Sequence, residues 1–229
     1  MPIFVDGKNF KGMSINFVPN NIPEKTIERL SEYRRTLLNE LAKGVTHLYS
    51  HNLANIHGIT AVQVRRDLML IGFSSDTKRG YDARVLVDFI GNILDSEQVM
   101  NIAVIGMGHI GHAVTQHFTG KRSKLKITMA FDVDPDKVGR KSAGVPVYHI
   151  DDFVTKVREN NVKITLLSLP TSVAPSMLRP IVEAGIKGVL NFTSTPLNFP
   201  EGIYVEDYDI ITLLEKVAYF VKECEAVRK

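Results

Sequence analysis

The chain has 229 residues, 44% apolar and 23% charged, which is ordinary for a soluble globular protein and long enough for one large or two small domains with real cores. A net charge of +3 is too small to identify a partner, and the single Cys224 excludes an internal disulfide and fits a reducing compartment. No apolar run approaches the ~20 residues that span a bilayer, and "MPIFVDGKNFKGMS" lacks the basic-then-apolar layout of a secretory signal, so a cytoplasmic protein with no membrane partner is expected.

Residues 1–20 mix Gly, Asn, Pro and aromatics without a period and read as an irregular arm. A helix follows over "NNIPEKTIERLSEYRRTLLNELAKG", with Asn21 to cap it, Pro23 in its first turn and Gly44 to close it. Its apolar face is Ile27, Leu30, Tyr33, Leu37, Leu38 and Leu41. "HLYSHNLANIHG" predicts a short second helix capped by Ser50 and broken by Gly58. A third starts at Thr60, where Thr60 and Gln63 have the spacing of a capping box. Two helices joined by a tight glycine-containing turn make a helix-turn-helix.

On the third helix Ala61, Val64, Leu68 and Ile71 share one side and face inward. Arg66 lies opposite, flanked by Val62, Gln63 and Leu70, with Arg65 at the edge. Gln suits adenine, Arg suits guanine or phosphate, and Val can touch a thymine methyl, as a recognition helix requires. Thr60, Val62, Gln63, Arg65 and Arg66 are therefore candidate DNA contacts. A short helical bundle with solvated arginines fits the same local pattern. "GFSSDTKRGYDARV" is a polar loop with Lys78 and Arg79 at its tip, either a hairpin wing that brings cations to a minor groove or a plain solvated loop. Residues 25–84 hold ten basic against six acidic side chains, a bias that permits phosphate contact without demanding it. "ARVLVDFIGNILDSEQ" returns to helical spacing through Val85, Phe89, Ile90 and Ile93 and leads out of a first domain spanning 21–98.

"NIAVIGMGHIG" then sets Gly106, Gly108 and Gly111 behind the β-rich run Ile102–Ile105. The first glycine permits the tight turn, the second lets backbone approach phosphate, and the third allows close helix–strand packing, with pyrophosphate over the helix N-terminus. Gly106, Met107, Gly108, His109, Ile110 and Gly111 are the candidate phosphate cradle. The next strand, "KITMAFDVD", ends at Asp132, 21 residues past Gly111, where an acid accepts ribose hydroxyls and repels a 2′-phosphate, favouring NAD(H) over NADP(H). "VPVYHI", "KITLLSLP", "IKGVLNFT" and "GIYVED" read as strands alternating with helices over "DDFVTKVREN" and "SVAPSMLRPIVEAG". This is an α/β doubly wound parallel sheet over 99–207. A last helix, 208–229, is apolar at Ile210, Leu213, Leu214, Val217 and Phe220 or Val221.

One nucleotide-binding domain consumes the back half, so no second substrate domain remains, and no acid–base set stands out. No catalytic residue is expected. His109, His112 and His117 have no Cys or acid at ligand spacing, so no metal is expected, with His112 and His117 on a helix surface. "GKRSKLK", with Lys121, Arg122, Lys124 and Lys126, reads as a solvated loop.

From about Ile22 to the last helix, the order of "QVRRD", "GMGHIG", "AFDVDPDKVG", "GVPVYHIDD", "EAGIKGVLNFT" and "DYDI" resembles the Rex family of bacterial redox-sensing transcriptional repressors. The resemblance implies a homodimer with an N-terminal winged helix and a C-terminal Rossmann domain, bound to palindromic operators in double-stranded DNA and released by NADH. It puts pyrophosphate at Gly106–Gly111, the adenosine ribose at Asp132, and Pro170 of "LLSLP" near the nicotinamide. It also implies a swapped C-terminal dimerisation helix whose leading acid, Asp209, pairs with Arg35 of the partner's first helix. The departure lies in the wing: the family reads close to "FG-x-x-GKRGVGY", whereas this chain has "IGFSSDTKRGYDAR", a longer loop that keeps Lys78, Arg79 and Gly80 but not the Gly-Tyr that follows them in the family. Two other readings stand beside it, a small NAD-dependent oxidoreductase whose front helices serve dimerisation and a CoA- or nucleotide-binding regulatory subunit.

Overall fold

A computed structural model describes residues 22–74, 79–118 and 124–227. The arm 1–20, the cap at Asn21, and Lys78, Lys121 and Arg122 lie outside the described residues. The chain divides into two compact units, one up to Ser96 and one from Glu97.

The first unit runs α1 (Glu24–Ala42), β1 (His47–Leu48), α2 (Ser50–His57), α3 (Ala61–Leu70), β2 (Tyr81–Asp82) and α4 (Ala83–Leu94). Pro23 stands one place before α1 rather than in its first turn, and its carbonyl accepts from Thr26 and Ile27. Gly44, at φ +87°, ends α1 by turning the backbone left-handed: its N–H reaches the Leu41 carbonyl and that of Val45 the Glu40 carbonyl. The core takes Leu30, Tyr33 and Leu37 from α1, Leu53 from α2, Val64, Leu68 and Ile71 from α3 and its end, and Leu86 and Ile90 from α4. Ile27 and Leu38, expected on the same face of α1, are exposed, because the other helices cover a narrower stripe than the periodicity offers. On α4 the buried positions are Ala83, Leu86 and Ile90, with Val85, Phe89 and Ile93 at the margin.

Two caps differ from expectation. Ser50 is the first residue of α2, and the capping position is Tyr49, whose N–H donates to the Asn52 side chain at 2.8 Å. Thr60 does cap α3, accepting the Gln63 N–H at 3.1 Å, but the Gln63 side chain does not return to close the box. The loop after α3 differs as well. Among the described residues β2 pairs antiparallel with β1, Leu48 opposite Tyr81, rather than with the residues before the loop. Gly80 makes this possible: at φ +87° it passes so close that a Cβ would sit 2.7 Å from the Leu48 carbonyl oxygen. Asp82 then caps α4, accepting from Arg84 and Val85.

The second unit runs β3 (Met100–Ile105), α5 (His109–Phe118), β4 (Leu125–Asp132), β5 (Lys141–Ser142), β6 (Val145–His149), α6 (Phe153–Glu159), β7 (Ile164–Leu167), α7 (Leu178–Ala184), β8 (Gly188–Asn191), β9 (Tyr204–Asp207) and α8 (Ile210–Val227). Its sheet has the order β5-β6-β4-β3-β7-β8-β9, parallel except for β5, which pairs antiparallel with β6 and was not foreseen. Single-turn 3₁₀ segments at Ile150–Asp152 and Ala174–Met177 precede α6 and α7, so both helices start later than their patterns predict. Ala103 and Ile105 face a core with Phe131, Phe153 and Leu167, while Val104 faces another with Ala130, Val147 and Leu166. Burial on both faces is what a parallel sheet covered by helices demands. On α8 the expected apolar positions Ile210, Leu213, Leu214, Val217, Phe220 and Val221 are all 43–63% exposed. Among the described residues no helix is long and apolar enough to cross a membrane.

Candidate nucleic-acid interface and nucleotide site

The strand order reverses between β3 and β7, and the chain leaves both strands there. Gly106 follows β3 at φ +90°, and a Cβ on it would lie 2.5 Å from the Ser168 carbonyl oxygen beyond β7. Gly111, buried in the first turn of α5, has no room for a Cβ beside the Gly106 carbonyl. Ser168 Oγ ties the two sides together, donating to the Gly106 carbonyl at 2.6 Å. Gly108 differs from both: nothing lies within 4 Å of where its Cβ would be. Two glycines are thus consumed by packing, and the third opens an unobstructed approach to the N-terminus of α5, as a pyrophosphate cradle needs.

His109 and Ile110 are exposed at the head of α5. Met107 contributes differently from its neighbours, because its side chain is buried with Val104, Ala130 and Val147. Only its backbone faces the turn, and its N–H donates to Asp132 Oδ2 at 2.8 Å. Asp132 also accepts from the Asp134 N–H at 3.0 Å and from Lys137 Nζ at 3.3 Å. Burial pushes the Asp132 carboxyl up, but the bonds from Asp134, Met107 and Lys137 outweigh it and hold the group below the usual carboxylate range. Lys137, which also lies 3.2 Å from Asp134, went unnoticed in the sequence, although its spacing in "DVDPDK" carried the signal. Pro170 is exposed past β7, and its carbonyl accepts from Val173 and Ala174. His112 lies on the surface of α5 with Nδ1 2.7 Å from Ser142 Oγ. Lys124 is not simply solvated, since its Nζ donates to the Glu97 carbonyl at 2.7 Å.

On α3, Val64 and Leu68 turn inward as expected, while Val62, Arg65 and Arg66 are exposed. Arg65 Nη1 donates to Ser50 Oγ at 3.0 Å, which fixes its stem against the start of α2. Arg79 is exposed in the loop before β2. The least expected residue is Asp67, 2% exposed at the centre of a polar cluster. Arg29 grips it through Nε and Nη2, both at 2.7 Å, and the Tyr33 hydroxyl donates at 2.8 Å. Gln63 Nε2 adds a bond at 2.9 Å and Thr26 Oγ1 a longer one at 3.4 Å. Burial pushes the Asp67 carboxyl up, yet hydrogen bonds from Arg29, Tyr33 and Gln63 hold it below the usual range, while burial and the Asp67 bond push the Tyr33 phenol up.

Arg35 is exposed on α1, whereas neighbouring Arg34 makes a bidentate pair with Asp95 at 2.7 and 2.8 Å. Asp209 occupies the capping position of α8, accepting the Ile211 N–H at 3.1 Å and the Thr212 hydroxyl at 2.7 Å. These bonds, Thr212 first, hold its carboxyl below the usual range. Among the described residues no three His, Cys, Asp or Glu side chains are placed to hold a metal ion.

A family model described as "CoA binding domain" matches residues 97–195, and one described as "Putative DNA-binding protein N-terminus" matches residues 21–68. The redox-sensing transcriptional repressor Rex of Anoxybacillus flavithermus is 37% identical over 201 residues, 88% of this chain and 94% of its own. Rex of Leuconostoc citreum is 34% identical over 87% of this chain and 93% of its own. The Rex-family repressor RSP, solved in complex with β-NAD⁺ and operator DNA, is 27% identical with a TM-score of 0.82, covering 92% of this chain and 97% of its own. The same repressor with β-NADH gives a TM-score of 0.80 over 92% and 99%. Identity of 34–37% over nearly nine-tenths of this chain and more than nine-tenths of these relatives leads to one conclusion: the chain belongs to the Rex family of redox-sensing transcriptional repressors.

Proposed function

We propose that this chain is an NAD(H)-responsive DNA-binding repressor that acts in the cytoplasm as a homodimer, without catalytic turnover. The observation that carries the reading is the cradle in which Gly108 is open, Gly106 and Gly111 are packed shut, and Asp132 braces the turn through the Met107 N–H. Those residues suit a dinucleotide: pyrophosphate at the head of α5, adenosine ribose on Asp132, and nicotinamide toward Pro170. The bound nucleotide supplies the redox signal through the charge and shape of its ring. Arg65 and Arg66 on α3, together with Lys78 and Arg79, supply the cations for operator phosphates and base edges.

The dimer rests on α8, whose apolar side chains are exposed all round in the single chain. A helix of that kind is stable in water only when covered, and each buried Leu, Val or Phe contributes about 1.5–3 kcal/mol. A second copy of the chain is the natural cover, with Asp209 at the head of α8 facing Arg35 on the partner's α1. The "CoA binding domain" match favours CoA as a second ligand reading. Against it stands Asp132, since the 3′-phosphate of CoA would meet a carboxylate where NADH presents hydroxyls. A gel shift on a palindromic operator, repeated with NADH, NAD⁺ or CoA, tests the proposal. Release by NADH alone supports it, and release by CoA alone or by none overturns it.

A further inference from the structure

Gln63 joins the surface of α3 to its buried anchor. Its backbone N–H is committed to the Thr60 cap, and its side-chain Nε2 donates to Asp67 Oδ1 at 2.9 Å, one helical turn on. The other bonds to Asp67 come from Arg29, Tyr33 and Thr26, so every partner of this carboxylate is a donor. An ionised carboxylate only accepts. Turning the Gln63 amide over would set Oε1 against Oδ1, two acceptors at contact distance, in a site almost closed to water. A glutamine on an exposed helix face flips freely and reads donors and acceptors alike. This one has a single orientation, with nitrogen inward and Oε1 on the other limb of the planar amide.

We propose that Asp67 makes Gln63 a one-way reader of the major groove, so that it selects a base carrying an exocyclic amine over the carbonyl-bearing guanine and thymine. Adenine N6 and cytosine N4 are the amines a major groove offers. The second Nε2 hydrogen completes a bidentate contact on adenine N7, which cytosine lacks, so adenine is the preferred base. Arg29 and Tyr33 of α1 act on base choice through Asp67, as positioning residues. The inference rests on α3 being the recognition helix.

The experiment enriches sequences with the full chain from a duplex library randomised in two inverted half-sites, at fixed salt, beside Gln63→Met and Asp67→Asn. The parent should enrich adenine at one position of each half-site. Gln63→Met keeps the side-chain volume and the Asp67 bonds to Arg29 and Tyr33. It should lose discrimination at that position alone, by about tenfold or more, with enrichment elsewhere and NADH affinity retained. Asp67→Asn can present either end of its own amide to Gln63, so guanine or thymine should rise to rival adenine there. A parent that enriches no sequence overturns the DNA-binding reading and this inference together. A parent and Gln63→Met that enrich the same sequence overturn this inference alone, as does a parent that prefers guanine or thymine at the position Gln63→Met relaxes. If Asp67→Asn does not fold, the Gln63→Met comparison decides by itself.

Discussion

Asp132→Ala is the substitution whose consequences follow most directly from the geometry. The carboxylate accepts from the N–H of Met107, the N–H of Asp134 and Lys137, so its removal acts twice. The Met107 N–H loses its acceptor beside a buried side chain, at a cost of about 1–3 kcal/mol, which lowers Tm by roughly 2–4 °C per kcal/mol for a chain of this size. The ribose loses a charged acceptor, and a charge-assisted hydrogen bond contributes about 1.5–3 kcal/mol. NADH affinity should therefore fall about ten- to a hundredfold. The preference for NADH over NADPH should shrink as well, because the repelling charge is gone while Lys137 remains to meet a 2′-phosphate. Because the folded-state pKa of Asp132 is depressed, its contribution is complete above the ordinary carboxylate range and is lost as pH falls through the lowered value. Acidification should thus destabilise the parent more than the variant. Calorimetry with NADH and NADPH, and thermal melts from neutral to acid pH, provide the readouts. Unchanged NADH affinity and unchanged discrimination in the variant would refute the assignment of the ribose to Asp132.

Three further outcomes are expected. Arg66→Ala should weaken binding to the specific operator by about 1–3 kcal/mol and leave NADH affinity intact, since Arg66 is exposed on the outer face of α3; operator titrations by anisotropy check this. Lys78→Ala with Arg79→Ala should lower affinity for specific and random duplex alike and flatten the dependence on salt by about two phosphate contacts, read from log–log salt titrations. Asp209→Ala should retain dimerisation and NADH binding but reduce the effect of NADH on operator affinity, and an undiminished effect in operator titrations at saturating NADH would remove Asp209 from the coupling.

How much of this was legible depended on how far each cause reaches along the chain. The run from Ile102 through Gly111 to Asp132 could be read because steric demands on glycine, strand alternation and the spacing of the acid at the end of β4 are local or nearly so. The inward face of α3 and its Thr60 cap were legible for the same reason. Asp67 was not, because an acid beside two arginines reads as solvated, and its partners Arg29 and Tyr33 lie more than thirty residues earlier. The pairing of β1 with β2 depends on a close approach of Gly80 to Leu48 that no local pattern announces. β5 is two residues long and has no periodicity to detect. Position in the turn groups Met107 with its neighbours, and only the packing shows that its side chain is buried while its backbone N–H serves Asp132.

Nucleotide and operator that report to each other through the protein do so reciprocally, because linkage gives both bindings the same coupling factor. The most direct test measures NADH affinity twice, for the free protein and for the protein saturated with its operator duplex. NADH should bind the operator-bound protein more weakly, by the same factor by which NADH weakens operator binding, with a smaller factor for NAD⁺. Equal NADH affinity in the two states would contradict it.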